Sequence, residues 1–257
     1  MSKVTWKRVL HFSDYDFTTE QEIADTISKG KSMNKFLLYP VTARCLPMIR
    51  FVPWKSDDFI LCSFEGSSLT GSTIGKAYEY DFLDNIVYSD EKIEALIQKI
   101  STVVLLPLES NYNLTVLRPK LKRIKELAVE YGKEILDFTE ENPKLFPLCP
   151  NPEGTSIKDI KQAVVSIGGM LDASRTVELF MAAFSALKKK KVKVSAFSSY
   201  FPSEIIGAHY IGTKKQIESI PSEQYIKSLN SYIFTTAIQE MADVVLIDLP
   251  DGFIPYN

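Results

Sequence analysis

Apolar runs recur along the chain with amphipathic stretches between them. Phe36 to Tyr39, Phe59 to Phe64, Asn85 to Tyr88, Val103 to Leu106 and Glu134 to Phe138 are short runs bounded by polar residues, the pattern of strands. Between them, Asp90 to Ile100 and Val116 to Tyr131 read as helices. Ile93, Leu96, Ile97 and Ile100 fall at helical spacing in the first, and Asp90 is expected to cap it. The second half continues with a strand over Ala163 to Ile167, a loop over Gly168 to Ala173 and a helix over Ser174 to Lys190. A strand over Val192 to Phe197, an irregular stretch from Ser198 to Ser222, a helix over Gln224 to Met241 and a strand over Asp243 to Asp248 follow. Strands apolar on both faces that alternate with helices predict a largely parallel sheet covered on both sides.

Between Thr139 and Thr155 this pattern breaks. Pro143, Pro147, Pro150, Pro152 and Gly154 crowd a span that neither a helix nor a central strand tolerates, so a domain boundary is expected there. Residues 1–32 are polar, weakly patterned and end in Ser28-Lys29-Gly30-Lys31-Ser32. The organisation predicted is an N-terminal extension (1–32), a Rossmann-like α/β domain (33–139), a Pro-rich linker (140–155) and a P-loop-like α/β domain (156–257). Both domains are expected to be three-layered, with mainly parallel sheets.

Composition narrows the function more than the fold. The 257 residues are 45% hydrophobic and 24% charged, as in ordinary globular proteins, and the formal net charge of -2 creates no overall field toward nucleic acid or an anionic membrane. Cys45, Cys62 and Cys149 stand far apart without a CxxC pair, which argues against a disulfide framework or a zinc site and for a reducing cytoplasm. No run approaches the roughly 18 apolar residues of a membrane span. With His11 and His209 the only histidines, a His cluster or His-based triad has almost no material. The Lys188-Lys189-Lys190-Lys191 run closes a helix, where cations meet the negative end of its dipole.

The clearest chemical signal is Ala163-Val164-Val165-Ser166-Ile167-Gly168-Gly169-Met170-Leu171-Asp172-Ala173-Ser174-Arg175-Thr176, a buried-type strand running through glycines into a helix. In the pattern GxxxxGK[ST], backbone N–H groups surround phosphates, the Lys reaches the terminal phosphates and the hydroxyl holds Mg²⁺. Gly169, Ser174, Arg175 and Thr176 fall at the four diagnostic positions. The second Gly is therefore Ser and the Lys is Arg, which keeps the charge but is bulkier. Ala242-Asp243-Val244-Val245-Leu246-Ile247-Asp248 is an apolar strand ending in a carboxylate, the form in which an Asp orients Mg²⁺ beside such a loop. The candidate nucleotide-binding residues are thus Gly168, Gly169, Asp172, Ser174, Arg175 and Thr176, with Thr176 and Asp248 toward a metal and ATP or GTP with Mg²⁺ as the cofactor. A relic loop that only packs, with Arg175 folded onto Asp172 or Asp248, is the rival reading, and no catalytic residue is assigned.

Lys35-Phe36-Leu37-Leu38-Tyr39-Pro40 with Leu46-Pro47-Met48-Ile49-Arg50, the loop from Gly168-Gly169 to Thr176, and Asp243 to Asp248 with Leu249-Pro250-Asp251-Gly252-Phe253-Ile254-Pro255-Tyr256-Asn257 together resemble the peptide maturation system proteins. These are bacterial proteins encoded beside radical-SAM enzymes that modify ribosomally made peptides. The resemblance spans roughly Met33 to the C-terminus. It implies a cytoplasmic accessory to peptide modification, with a Rossmann-like N-terminal part, a C-terminal part similar to P-loop NTPases, and a peptide-modifying enzyme or precursor peptide as partner. An active ATP- or GTP-dependent enzyme of the same pathway and a purely structural scaffold are the alternatives. Members of the family continue beyond the Pro-Tyr-Asn stretch, so a chain truncated at its C-terminus is expected, and residues 1–32 have no counterpart in them.

Other candidates have simpler explanations. Gly66-Ser67-Ser68-Leu69-Thr70-Gly71-Ser72-Thr73-Ile74-Gly75-Lys76 follows a strand and could offer backbone N–H groups to an anion, but a surface loop is the simpler reading. Asp251-Gly252 is a common turn pair. A structural role is expected for His209, and Cys62 reads as a small buried hydrophobe. Trp6 and Trp54 lack the basic and aromatic interleaving of a nucleic-acid platform.

Overall fold

A computed structural model describes residues 35–42, 45–51, 58–78, 84–108, 114–139, 143–169 and 176–249. These fall into two compact units that divide after Glu141, and each carries its own parallel sheet. The chain is α/β, as its alternating pattern predicts.

In the first unit, β1 (Phe36–Tyr39), α1 (Leu46–Phe51), β2 (Phe59–Ser63), α2 (Ile74–Tyr78), β3 (Val87–Ser89), α3 (Ile93–Ile97), β4 (Thr102–Leu105), α4 (Leu114–Glu130) and β5 (Glu134–Asp137) follow in order. The sheet runs β3-β2-β1-β4-β5 and all its pairs are parallel, the order of a dinucleotide-binding half whose crevice opens between β1 and β4. Strand alternation sends Leu37, Tyr39, Cys62, Val103 and Leu105 to one face, where they pack with Leu96 and Ile97 of α3 and Leu121, Ile124, Leu127 and Ala128 of α4. Leu38, Leu61 and Val104 point the other way and are fully buried, as is Ile74 of α2, while Met48 and Ile49 of α1 are at most 2% exposed. Each such side chain contributes roughly 1.5–3 kcal/mol on burial, which outweighs the weak propensity of strands this short.

The predicted helix over Asp90 to Ile100 opens with a 3₁₀ turn over Asp90–Lys92, and its cap is not Asp90. Ser89 Oγ accepts the Glu91 N–H instead, which leaves the Asp90 carboxylate to turn inward.

The second unit contains β6 (Ala163–Ile167), α5 (Thr176–Lys189), β7 (Val194–Ser198), a 3₁₀ helix (Phe201–Ile206), β8 (His209–Tyr210), α6 (Lys214–Glu218), α7 (Ser222–Gln239) and β9 (Val244–Asp248). Its sheet order is β6-β9-β7-β8, again all parallel. Phe197 and Val245 pack with Tyr225, Ile233 and Ala237 of α7. Ala196 and Leu246 point to the other face and are buried, as are Phe180, Met181 and Phe184 of α5. The stretch from Ser198 to Ser222, expected to be irregular, holds three short elements. The clearest is α6, which starts in a capping box: Thr213 Oγ1 accepts the Gln216 N–H and the Gln216 side chain accepts the Thr213 N–H.

The Pro-rich stretch, expected as a linker, lies along α7 of the second unit. Phe146 stacks on Tyr232 with ring centroids 4.9 Å apart and planes 3° from parallel, and it is 6% exposed. Cys149 N–H donates to Ser228 Oγ at 2.8 Å, Gln224 Nε2 to Cys149 O at 2.9 Å and Lys227 Nζ to Pro152 O at 2.7 Å. Prolines break periodicity but not burial, so side chains of α7 saturate the backbone groups that no ladder can use. No described helix is long and apolar enough to cross a membrane.

Candidate functional site

The end of β6 and the end of β9 lie side by side. Ile167 is in register with Asp248, and Leu249 N–H donates to Ile167 O at 2.9 Å, so Gly168, which follows β6, and the Asp248 carboxylate share the C-terminal edge of the sheet. That edge is where open α/β sheets bind ligands. Gly168 is half-buried, Gly169 is buried and Thr176 opens the 14-residue helix α5. The first-turn N–H groups of such a helix have no partners within it, and its dipole places about half a positive charge there. Asp172, Ser174, Arg175 and Asp251 lie outside the described residues. The structure thus brings Gly168, Gly169 and Asp248 to one edge and starts α5 at Thr176.

Asp248 is fully buried. Its Oδ2 accepts hydrogen bonds from Ser198 Oγ at 3.0 Å and Ser199 Oγ at 3.1 Å, and Ser198 Oγ accepts the Tyr200 N–H at 3.1 Å. Its Oδ1 is buried with no hydrogen-bond partner. Burial raises the Asp248 carboxyl above the ordinary aspartate range, and the Ser198 and Ser199 hydrogen bonds pull against that without overcoming it. A buried acceptor left unpaired costs about 1–3 kcal/mol, more when charged, so Oδ1 fits a cation or its bound water. Among the described residues no three His, Cys, Asp or Glu side chains converge as a metal cage. One carboxylate and a hydroxyl suit Mg²⁺, which keeps several waters and takes its other oxygens from phosphate. Nothing in the sequence singles out Ser198 and Ser199. A serine pair closing an apolar strand is too common to stand out, and only the β7-β9 pairing brings it to Asp248.

His209 sits in a second polar group. Its Nε2 lies 2.8 Å from Glu240 Oε1 and its Nδ1 3.3 Å from the Tyr232 hydroxyl, while buried Ser195 donates to Glu240 Oε2. Burial pushes the Glu240 carboxyl up, but the His209 and Ser195 hydrogen bonds outweigh it and hold the group below the ordinary Glu range. Glu204, in the 3₁₀ helix, behaves oppositely. Burial raises it to about 7 against the pull of His209 and of the Tyr210 N–H. A carboxyl raised in the folded state binds more protons there than in the unfolded chain, so stability falls as pH rises from the ordinary Glu range to about 7. Glu204→Gln is therefore expected to be near neutral at pH 4 and to stabilise by on the order of 1–3 kcal/mol at pH 8. Urea unfolding of both proteins at the two pH values checks this, and equal stabilities at pH 8 would refute the assignment.

In the first unit the corresponding edge carries Asp90. Its Oδ1 accepts the Glu65 N–H at 2.9 Å, and its Oδ2 accepts the Tyr39 hydroxyl at 3.0 Å and Lys120 Nζ at 2.8 Å. Tyr39 is pushed upward first by burial and then by the Asp90 charge, and burial pushes the Cys62 thiol up to about 12, which keeps it protonated and inert. The sequence that follows β1, Pro40 to Cys45, has no glycine and so lacks the fingerprint that admits a pyrophosphate to this fold. The Gly66 to Lys76 segment starts beside Asp90. Gly66 and Gly71 adopt φ of 81° with open space where a Cβ would stand, the conformation of surface turns.

No protein-family model matches the chain, and no curated protein does. Among solved structures, the chain is similar to the crystal structure of a DUF1611 family protein from Anabaena variabilis, with a TM-score of 0.54 and 10% sequence identity over 86% of this chain and 68% of that one. At that identity the likeness shows the fold alone.

Proposed function

We propose that the second unit binds a phosphate-bearing anion, ATP or GTP with Mg²⁺, between the segment after β6 and the end of β9. The orphaned Asp248 Oδ1 beside that segment carries this reading. Gly168 and Gly169 would let the backbone approach the phosphates, Thr176 would supply a hydroxyl and Asp248 would hold the ion through its waters. Arg175 would supply the charge that a lysine supplies in the full motif. The bound ion would offset phosphate charge, and no residue of this chain is assigned a hydrolytic step.

The wider role we infer is that of a cytoplasmic accessory in ribosomal-peptide maturation, acting on a peptide-modifying enzyme or its precursor peptide. The resemblance of the Phe36 strand, the Gly168 to Thr176 loop and the Asp243 to Asn257 ending to that family supports it.

A ligand bound only by the folded state raises its melting temperature, by the equivalent of about 2.7 kcal/mol at a hundredfold excess over Kd. Millimolar ATP or GTP with Mg²⁺ is expected to raise the Tm of the chain, and Asp248→Asn and Thr176→Ala are expected to reduce that shift. If neither nucleotide moves the wild-type Tm, the nucleotide is withdrawn and the scaffold reading takes its place. Affinity capture from the native host tests the wider role, which fails if neither the modifying enzyme nor its peptide is retained.

A further inference from the structure

The two oxygens of the Asp248 carboxylate stand in opposite states. Oδ2 accepts from Ser198 Oγ at 3.0 Å and from Ser199 Oγ at 3.1 Å, while Oδ1 is buried without a partner. A carboxylate oxygen offers roughly two lone-pair sites, so two hydroxyl donors fill Oδ2. The direction of the first of these bonds is fixed. Ser198 Oγ accepts the Tyr200 N–H at 3.1 Å, which leaves its one hydrogen for Asp248.

The backbone holds this arrangement in place. Phe197 is in register with Ile247 on β9, and Ser198 with Tyr210 on β8, so the end of β7 that carries the donors is held from both sides. Ile211 N–H also donates to Ser198 O at 3.0 Å. Ser198 and Asp248 are both fully buried. A rotation of the carboxylate that turned both oxygens toward an ion would break both serine bonds where water cannot replace them.

We propose that Ser198 and Ser199 set the ion specificity of this edge: by filling Oδ2 they restrict Asp248 to a single ligating oxygen, and so select Mg²⁺ against Ca²⁺. Their role rests on the ion site proposed above, to which it adds a choice between cations. Both are positioning residues, since they act through Asp248 and touch neither ion nor phosphate. Mg²⁺ demands an octahedron at about 2.0–2.1 Å and keeps several waters, so one carboxylate oxygen, a hydroxyl and phosphate oxygens suffice for it. Ca²⁺ takes about 6–8 oxygens at roughly 2.3–2.6 Å and is often gripped by both oxygens of a carboxylate, a mode that the serines block. Among the described residues no group of three His, Cys, Asp or Glu side chains makes up the difference.

Thermal unfolding of the full chain with ATP or GTP and either Mg²⁺ or Ca²⁺, against an EDTA reference, tests this. The wild-type chain is expected to bind the Mg²⁺ complex about tenfold or more tighter than the Ca²⁺ complex, read from the concentration dependence of the Tm. Ser199→Ala opens Oδ2 at a half-buried position and is expected to lower that ratio about threefold or more, and adding Ser198→Ala to lower it further. Ser199→Thr keeps the hydroxyl and is expected to retain the wild-type ratio. A merely structural role would lower the Tm of the unliganded variants and weaken both complexes alike, so an unchanged ratio overturns the proposal. A wild-type chain that binds both complexes equally overturns it as well, with the ion site left standing. A wild-type Tm that moves with neither cation overturns the ion site and the proposed specificity together.

Discussion

Replacing Asp90 with Ala is expected to cost about 2–6 kcal/mol of stability, because two donors lose their acceptor at about 1–3 kcal/mol each. Three elements depend on this carboxylate. The Glu65 N–H after β2, the Tyr39 hydroxyl at the end of β1 and Lys120 Nζ of α4 all donate to it. Removing it strands a Tyr39 that is 0% exposed and an N–H at the start of the Gly66 turn. The Lys120 ammonium adds little to that cost, because its side chain is 34% exposed against 6% for Asp90 and can turn to water. Lys120→Ala is expected to be milder, because it leaves the carboxylate the Glu65 N–H and the Tyr39 hydroxyl as donors. Urea unfolding of the two variants measures the asymmetry, and an Asp90→Ala protein within about 1 kcal/mol of wild type would mean that the group is not a latch.

Phe146→Ala is expected to cost about 3–5 kcal/mol, as large-to-small changes at buried aromatics do. Phe146 lies in the Pro-rich stretch and is 6% exposed, stacked on Tyr232 and tilted against Tyr225 at 5.9 Å. The aromatic pairs add about 0.5–1.5 kcal/mol each beyond the buried area. A mobile tether would lose almost nothing on this change. The same denaturation experiment therefore separates a tether from a strap: a cost below about 1 kcal/mol leaves the stretch a tether.

Much of the fold is legible because its signals are local. Phe36 to Tyr39 and Ala163 to Ile167 appear as strands with the bounds the pattern predicts, and Val116 to Tyr131 differs from the observed helix by one or two residues at its ends. Apolar runs and helical spacing are properties of neighbouring residues, and burial of such runs leaves few alternatives to a parallel α/β arrangement. The candidate anion edge is half legible for the same reason. Gly168, Gly169 and Thr176 follow one another along the chain, and Asp248 ends a strand of its own.

What the chain by itself determined, then, is which segments become strands and helices and which residues stand at their ends. What only the tertiary structure decided is which polar groups meet. Asp248 finds Ser198 and Ser199 some fifty residues away because β7 pairs with β9, and His209 finds Glu240 thirty-one residues on because α7 returns across the sheet. Asp90, an acceptable helix cap on local grounds, is drawn inward because Tyr39 and Lys120 converge on it from elements that precede and follow it. In each case a hydrogen bond between distant residues leaves no trace in local periodicity, since its energy depends on a distance that only strand order and helix packing set.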